Sequence, residues 1–252
     1  MNGDGTTDAD ARFGVVGDDP APLMDAIEGA GGTATAIDAD ATAAVDVVVA
    51  PSESSLLSLV RADVETPVLP VDVGPAVVSV PLEDLRNAAE SILRDEHTTF
   101  GRPLLVASFG GLEYRSLMDV TLVTTEPAKI SEYTIETRAR GARRVIDTVR
   151  ADGVVVSTPT GSPGYGLTAG GPVMAPESRS VSVVPIGPFR IEQTHWTLRP
   201  PMWLTVARDE TAVSLLVDDM EVRRIPPHES IRLEWTREME FLETSVSVPL
   251  FE

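Results

Sequence analysis

The chain of 252 residues contains no cysteine, which excludes disulfide bridges, thiol nucleophiles and cysteine-based metal sites. Lysine is almost as scarce: Lys129 stands alone, and the rest of the positive charge is arginine. Asp and Glu number 39 against 20 Lys and Arg, a formal net charge of −19. A surface of that sign repels a phosphate backbone, which argues against a general nucleic-acid binder. No apolar run approaches the length needed to span a membrane. The opening MNGDGTTDADARF is acidic and carries no apolar segment, unlike a secretory signal. The expectation is a soluble, cytoplasmic protein with neither a membrane nor a nucleic-acid partner. His97, His195 and His228 share no metal-ligand spacing, so no metal site is expected of them.

Acid excess with lysine depletion is the composition of a protein adapted to high intracellular salt, where repulsion between surface carboxylates is screened. The charge therefore describes the solvent more than the partner. It also sets a condition: a site for a polyphosphate ligand on such a surface needs a local supply of backbone amides or arginines.

The most informative stretch is Asp152 to Pro172, DGVVVSTPTGSPGYGLTAGGP. Val154 to Val156 reads as a buried strand, followed by a loop of Ser, Thr, Pro and Gly with one aromatic, Tyr165. Gly161, Gly164, Gly166, Gly170 and Gly171 would let backbone approach a ligand, and Ser157, Thr158, Thr160, Ser162 and Thr168 would offer it hydroxyls. Such a loop suits a polar, phosphate-bearing molecule, although the same composition also makes ordinary surface loops.

Ahead of it, short apolar strands at Phe13–Val16, Thr33–Ile37 and Val45–Ala50 alternate with helical patterns, the first opening near Pro20. That alternation predicts an open, mostly parallel α/β sheet, whose ligand crevice lies past the carboxyl ends of the strands. A further helix is expected over Leu82–Leu93. From Pro103 the texture turns to β, with LLVASF, a turn at Gly110 and Gly111, LEYRSLMDVTLVT as one strand, and a hairpin around Gly141. The resulting division is a flexible N-terminus over 1–11, an α/β domain over 12–98, a β-rich domain over 99–238, and a tail over 239–252 returning to the first domain. Arg138, Arg140, Arg143, Arg144 and Arg150 form the one basic cluster, read as a solvated hairpin face rather than a phosphate trap.

The string DG, STPTGSPGY, TAGGP resembles the signature of the NAD kinase family, whose members carry DG, STPTGSTAY and SAGGP in this order and spacing. The resemblance makes the chain a divergent, halophile-type member of that family. It implies an α/β N-terminal domain joined to a β-rich C-terminal domain. It also implies phosphorylation of the 2′-hydroxyl of NAD to NADP by ATP with Mg²⁺, NAD or NADP as ligand, and a homo-oligomer, dimer or tetramer. In family terms Asp119, Asp152, Gly164, Tyr165 and Thr168 would hold the dinucleotide. The family's catalytic loop GGDGTLL falls on Pro51 to Leu57, where only Leu56 and Leu57 match. Glu53 stands in the position of the catalytic base, with Ser52, Ser54 and Ser55 as the donor-phosphate loop. Read without the resemblance, Ser52 and Glu53 are an ordinary helix cap and acidic first turn. Met118 replaces an Asn, and Pro163 with Gly164 replaces Thr-Ala. Asp72 occupies an Asn position, and Asp218 and Asp219 stand where relatives have Asp-Gly. The GDGT at Gly3–Thr6 precedes the first strand and is taken as coincidence. The departures at Pro51 to Ser55, at Met118 and at Pro163 with Gly164 support the alternative of a catalytically impaired NAD/NADP-binding module or regulatory paralogue.

The charge generates the first prediction. Raising salt from ~0.1 M to ~1 M shortens the Debye length from about 10 Å to about 3 Å, so the thermal midpoint is expected to rise steeply across that range. Unfolding followed by circular dichroism checks this, and a midpoint insensitive to salt would remove the halophilic reading.

Overall fold

The computed structural model describes residues 11–74, 76–126, 129–189, 194–209 and 211–249. Residues 1–10, with the Gly3–Thr6 tetrapeptide and nearly all of the expected flexible N-terminus, lie outside the described residues, as do residues 250–252 of the tail. Two compact units divide the chain, one of residues 1–101 with 240–252 and one of residues 102–239.

The first unit opens with β1 (Arg12–Val15), α1 (Ala21–Gly29), β2 (Thr33–Ala36), β3 (Val47–Ala50), α2 (Glu53–Arg61), β4 (Val68–Pro70) and α3 (Leu85–Leu93). The strands are parallel in the order β2-β1-β3-β4, and Phe241 continues the sheet beside Val68. Val47 to Ala50 are buried without a break, as expected of a parallel strand covered on both faces. Val47 and Val49 join Phe13, Leu69, Leu23 and Ile27 of α1, and Leu85, Ala89 and Ile92 of α3 in one core. Leu56, Leu59 and Val60 of α2 are fully buried as well. Glycine permits two close packings at the sheet: a Cβ on Gly14 would stand 2.3 Å from Ile37 Cδ1, and one on Gly32 would meet Phe13 and Ile27. The described part of the tail belongs to this unit, with Val248 bridged to Ser79.

The second unit is built of β-strands, with a short helical turn at Ser162–Gly166. It comprises β5 (Thr98–Phe109), β6 (Leu112–Ser116), β7 (Asp119–Thr124), β8 (Ser131–Ala139), β9 (Ala142–Ala151), β10 (Gly153–Ser157), β11 (Val181–Ile186), β12 (Trp196–Leu198), β13 (Met202–Arg208), β14 (Val213–Val217), β15 (Met220–Ile225) and β16 (Ser230–Glu243), the first and last strands reaching into the first unit. One sheet is antiparallel in the order β12-β11-β10-β7-β14-β15; the other runs β16-β13-β8-β9. Alternate residues of each, among them Val120, Val154, Val156, Val183, Leu215, Tyr133, Ile135, Leu204 and Leu233, meet in a single core. Burial raises the pKa of the enclosed Tyr133 hydroxyl, which donates to the Asp152 carbonyl at 3.4 Å. The arginine cluster lies on the β8–β9 hairpin. Arg138 and Arg143 sit over the Trp203 ring, at 6.0 and 4.9 Å from its centroid, and Arg143 is paired with Glu136.

LEYRSLMDVTLVT is not one strand. It breaks at Leu117 and Met118, and β6 and β7 go to different sheets. The break is held by Asp218, at positive φ (52°) after β14. Its Oδ1 accepts from Ser116 Oγ at 2.7 Å, Met118 N at 2.8 Å and Asp119 N at 3.1 Å, and its Oδ2 from Leu117 N at 3.2 Å. Burial lifts the pKa of this carboxyl while the four donors pull it back. Asp218→Asn replaces one acceptor oxygen by an NH₂ group facing a backbone donor. It should cost about 1–3 kcal/mol of stability, read as a lower denaturation midpoint in molar salt.

Candidate functional site

The residues singled out in the sequence fall into two groups, one in each unit. In the second unit the alternation of β7, β10 and β11 turns Val120, Val154, Val156, Val181 and Val183 inward, leaving Asp119, Thr121, Ser157 and Ser182 on the opposite face. Ser157 pairs with Asp119 on one side and Ser182 on the other, so a polar row crosses three strands. Thr121 Oγ1 donates to Asp119 Oδ1 at 3.1 Å. The loop after β10 is fastened to this end of the sheet: Thr158 N donates to the Met118 carbonyl at 2.9 Å, and Thr158 Oγ1 to the Leu117 carbonyl at 2.5 Å.

Two expectations about the loop change here. Thr158 and Ser162 are buried and bonded within the loop: Thr158 Oγ1 also accepts from Gly161 N at 3.1 Å, and Ser162 Oγ donates to the Pro159 carbonyl and accepts from Met174 N. They shape the loop instead of facing a ligand. Most of the glycines likewise admit protein. A Cβ on Gly161 would lie 2.0 Å from the Met118 carbonyl oxygen, one on Gly166 2.3 Å from Ser157 Oγ, and one on Gly171 2.8 Å from the Gly166 carbonyl oxygen. Gly164 differs. It interrupts a wide helical turn, Ser162–Gly166, with φ −86° and ψ −125°, and has open space where a side chain would be. Beside it Tyr165 is 46% exposed, leaving a large part of its ring available. Thr168 is exposed, its hydroxyl 3.4 Å from the Gly164 carbonyl.

The fold thus brings Asp119, Gly164, Tyr165 and Thr168 to one end of β10. It does not bring Asp152 there. Asp152 precedes β10 at its other end, five residues from Ser157 or roughly 16 Å of extended chain, where its side chain stands over Gly187. Met118 is buried, 8% exposed, and acts through its backbone. Sequence reasoning missed Ser182. Its hydroxyl and that of Ser157 are buried and, among the described residues, have no hydrogen-bond partner. The only sequence signal for it was a serine in a strand of valines.

In the first unit, Ser52 caps α2, its Oγ accepting from Ser55 N at 3.1 Å. The same oxygen lies 3.0 Å from Ser54 Oγ and 2.9 Å from Ser55 Oγ. Glu53 is exposed on the first turn of the helix. The helix cap anticipated from the sequence is therefore present. Alongside it opens a cleft of about 590 Å³, walled by Gly17, Asp18 and Asp19 after β1, Ile37 and Asp38 after β2, and Ser52, Ser54, Ser55 and Ser58 after β3. Glu53 is not part of its lining, and no arginine or lysine is among the described residues that wall it. Nor do the described residues contain a group of three or more His, Cys, Asp or Glu able to hold a metal, or a helix long and apolar enough to cross a membrane.

Comparison with known proteins agrees with this architecture. Residues 117–237 match the model of the ATP-NAD kinase C-terminal domain. The NAD kinase of Methanothermobacter thermautotrophicus is 33% identical over 51% of this chain and 45% of its own length. That of Methanopyrus kandleri is 32% identical over 66% of this chain and 56% of its own. The chain thus spans about half the length of these curated relatives. Among solved structures, an NAD kinase from Archaeoglobus fulgidus in complex with ATP superposes with a TM-score of 0.74 at 19% identity, covering 93% of this chain and 94% of that one. A yeast NADH kinase complexed with NADH gives 0.75 at 15% identity, covering 93% and 84%. At those identities the structures speak for the fold, an α/β domain followed by a β-rich one. With the matched C-terminal domain and the curated relatives, the chain is similar to the NAD kinase family, as a divergent relative of it.

Proposed function

We propose that the chain binds NAD on the second unit and phosphorylates the 2′-hydroxyl of its adenosine ribose with ATP, giving NADP. The observation that carries the reading is the loop fastened at Leu117 and Met118 beside Asp119, with open space over Gly164 and a half-exposed Tyr165 ring at one end of β10. The Asp119 carboxylate would accept from ribose or adenine donors, the Tyr165 ring would pack on a base, and Thr168 would offer its hydroxyl. The α/β part, residues 12–98, takes the donor role, and the β-rich part, 99–238, the acceptor role. In the donor part Ser52, Ser54 and Ser55 meet the phosphates at the N-terminus of α2. Magnesium carried on those phosphates supplies the neutralisation that a cleft with three aspartates and no basic wall lacks. Glu53 takes the role of base. Asp152, at the far end of β10, would meet a different part of an extended dinucleotide, or a ligand held by a second copy of the chain in a homo-oligomer.

A second reading, a dinucleotide-binding module without turnover, is favoured by one observation: Glu53 is exposed and outside the cleft lining. An assay in molar salt with ATP, Mg²⁺ and NAD separates the two. On the kinase reading NADP forms, and Glu53→Gln lowers kcat by about 10²–10⁴-fold with little change in KM for NAD. Tight NAD binding without product supports the module, and absence of binding removes both. Tyr165→Ala should weaken NAD binding about tenfold or more through lost stacking. Gly161→Ala should weaken it together with the melting temperature, because the new Cβ displaces the loop from Met118.

A further inference from the structure

The cleft of the first unit has a defined place in the sheet. With strand order β2-β1-β3-β4, the chain leaves β1 toward β2 on one side and returns to β3 on the other. The carboxyl ends of β1 and β3 therefore form the topological switch point, where open α/β sheets take their ligands. The cleft lies there, walled by the segments after β1, β2 and β3. Its volume, about 590 Å³, is that of a pocket for one small molecule of mononucleotide size.

The lining says which part of such a molecule it suits. Gly17, at φ +134°, leaves the wall after β1 without a side chain. Val16, Ile37 and Pro51 supply apolar surface. Asp38 closes the end of β2, and no cation faces it among the described lining residues. A carboxylate acceptor in that position fits hydroxyl donors, and with Asp18 and Asp19 also in the wall bare phosphate oxygens would be repelled. In dinucleotide-binding sheets an acid about 20 residues beyond the first glycine turn accepts from ribose hydroxyls. Asp38 follows Gly17 by 21 residues.

We infer that Asp38 makes the switch-point cleft a site for the vicinal 2′,3′-hydroxyls of a nucleoside, with the 5′ end directed to the serines at the start of α2. The inference rests on the donor role proposed for this cleft and deepens it: the donor is held by its sugar, and the phosphates depend on the metal they carry. The cleft takes adenosine itself, without phosphates or magnesium.

Titration calorimetry on the full chain in molar potassium chloride tests this with adenosine, 2′,3′-dideoxyadenosine and ADP. Adenosine binding is expected without magnesium, and removing both hydroxyls should weaken it about tenfold or more. Asp38→Ala and Asp38→Asn should produce a similar loss, whereas Asp40→Asn, on an exposed neighbour outside the cleft lining, should not. Equal affinity for adenosine and its dideoxy analogue in the unaltered chain overturns the inference whatever the variants do, so a variant that fails to fold does not shield it. NADP formation separates this result from the kinase reading. Turnover that is indifferent to the donor's hydroxyls and to Asp38 keeps the kinase and sinks the sugar site. Hydroxyl-dependent adenosine binding lost on Asp38→Ala, without turnover, does the reverse.

Discussion

The second unit depends on one carboxylate. Asp218 takes four donors from residues 116–119, three of them backbone amides that the break between β6 and β7 would otherwise leave unpaired. Removing an acceptor from such a network leaves a buried donor without a partner, which costs more than the net value of the bond itself. Everything proposed for the dinucleotide rests on this arrangement. The Leu117 and Met118 carbonyls anchor Thr158, Gly161 fits against Met118, and Asp119 begins β7 next to Ser157. The loop is thus shaped by contacts that a ligand never sees, and its binding face is what remains.

That division explains what was legible in the sequence. The strands of the first unit were readable because a parallel strand buried on both faces is an unbroken apolar run, as Val47–Ala50 is. The β8–β9 hairpin was readable from Gly141, which takes positive φ together with Arg140. The break at Leu117 was not, because local propensity continues straight through LEYRSLMDVTLVT and the residue that stops it lies about a hundred positions away. Within the loop, residue type identified hydroxyls and glycines but could not assign them. Thr158 and Thr168 are the same amino acid, one buried in the anchor and one exposed on the rim. Asp152 was placed with the loop because it is near in sequence, whereas β10 carries it to the opposite end.

The first unit poses the electrostatic problem that the composition announced. A chain of net charge −19 was expected to bring backbone amides or arginines to any polyphosphate. Its cleft instead presents the N-terminus of α2, three coupled serine hydroxyls and three aspartates. Capping uses part of that supply: Ser52 Oγ satisfies the Ser55 amide, so the first turn has one donor fewer to give. Glycines in this loop would leave amides free to wrap a phosphate, whereas Pro51 has none and the Ser55 amide is committed to the cap. The change from GGDGT to PSESS therefore exchanges phosphate-wrapping backbone for a stable helix start. A donor held here must bring its own positive charge and be gripped elsewhere. Hydroxyl recognition at Asp38 meets the second requirement, since a carboxylate that repels a phosphate accepts readily from a sugar. With PSESS in place of GGDGT, the acid-walled cleft at the switch point suits a donor held by its sugar more than one held by its phosphates.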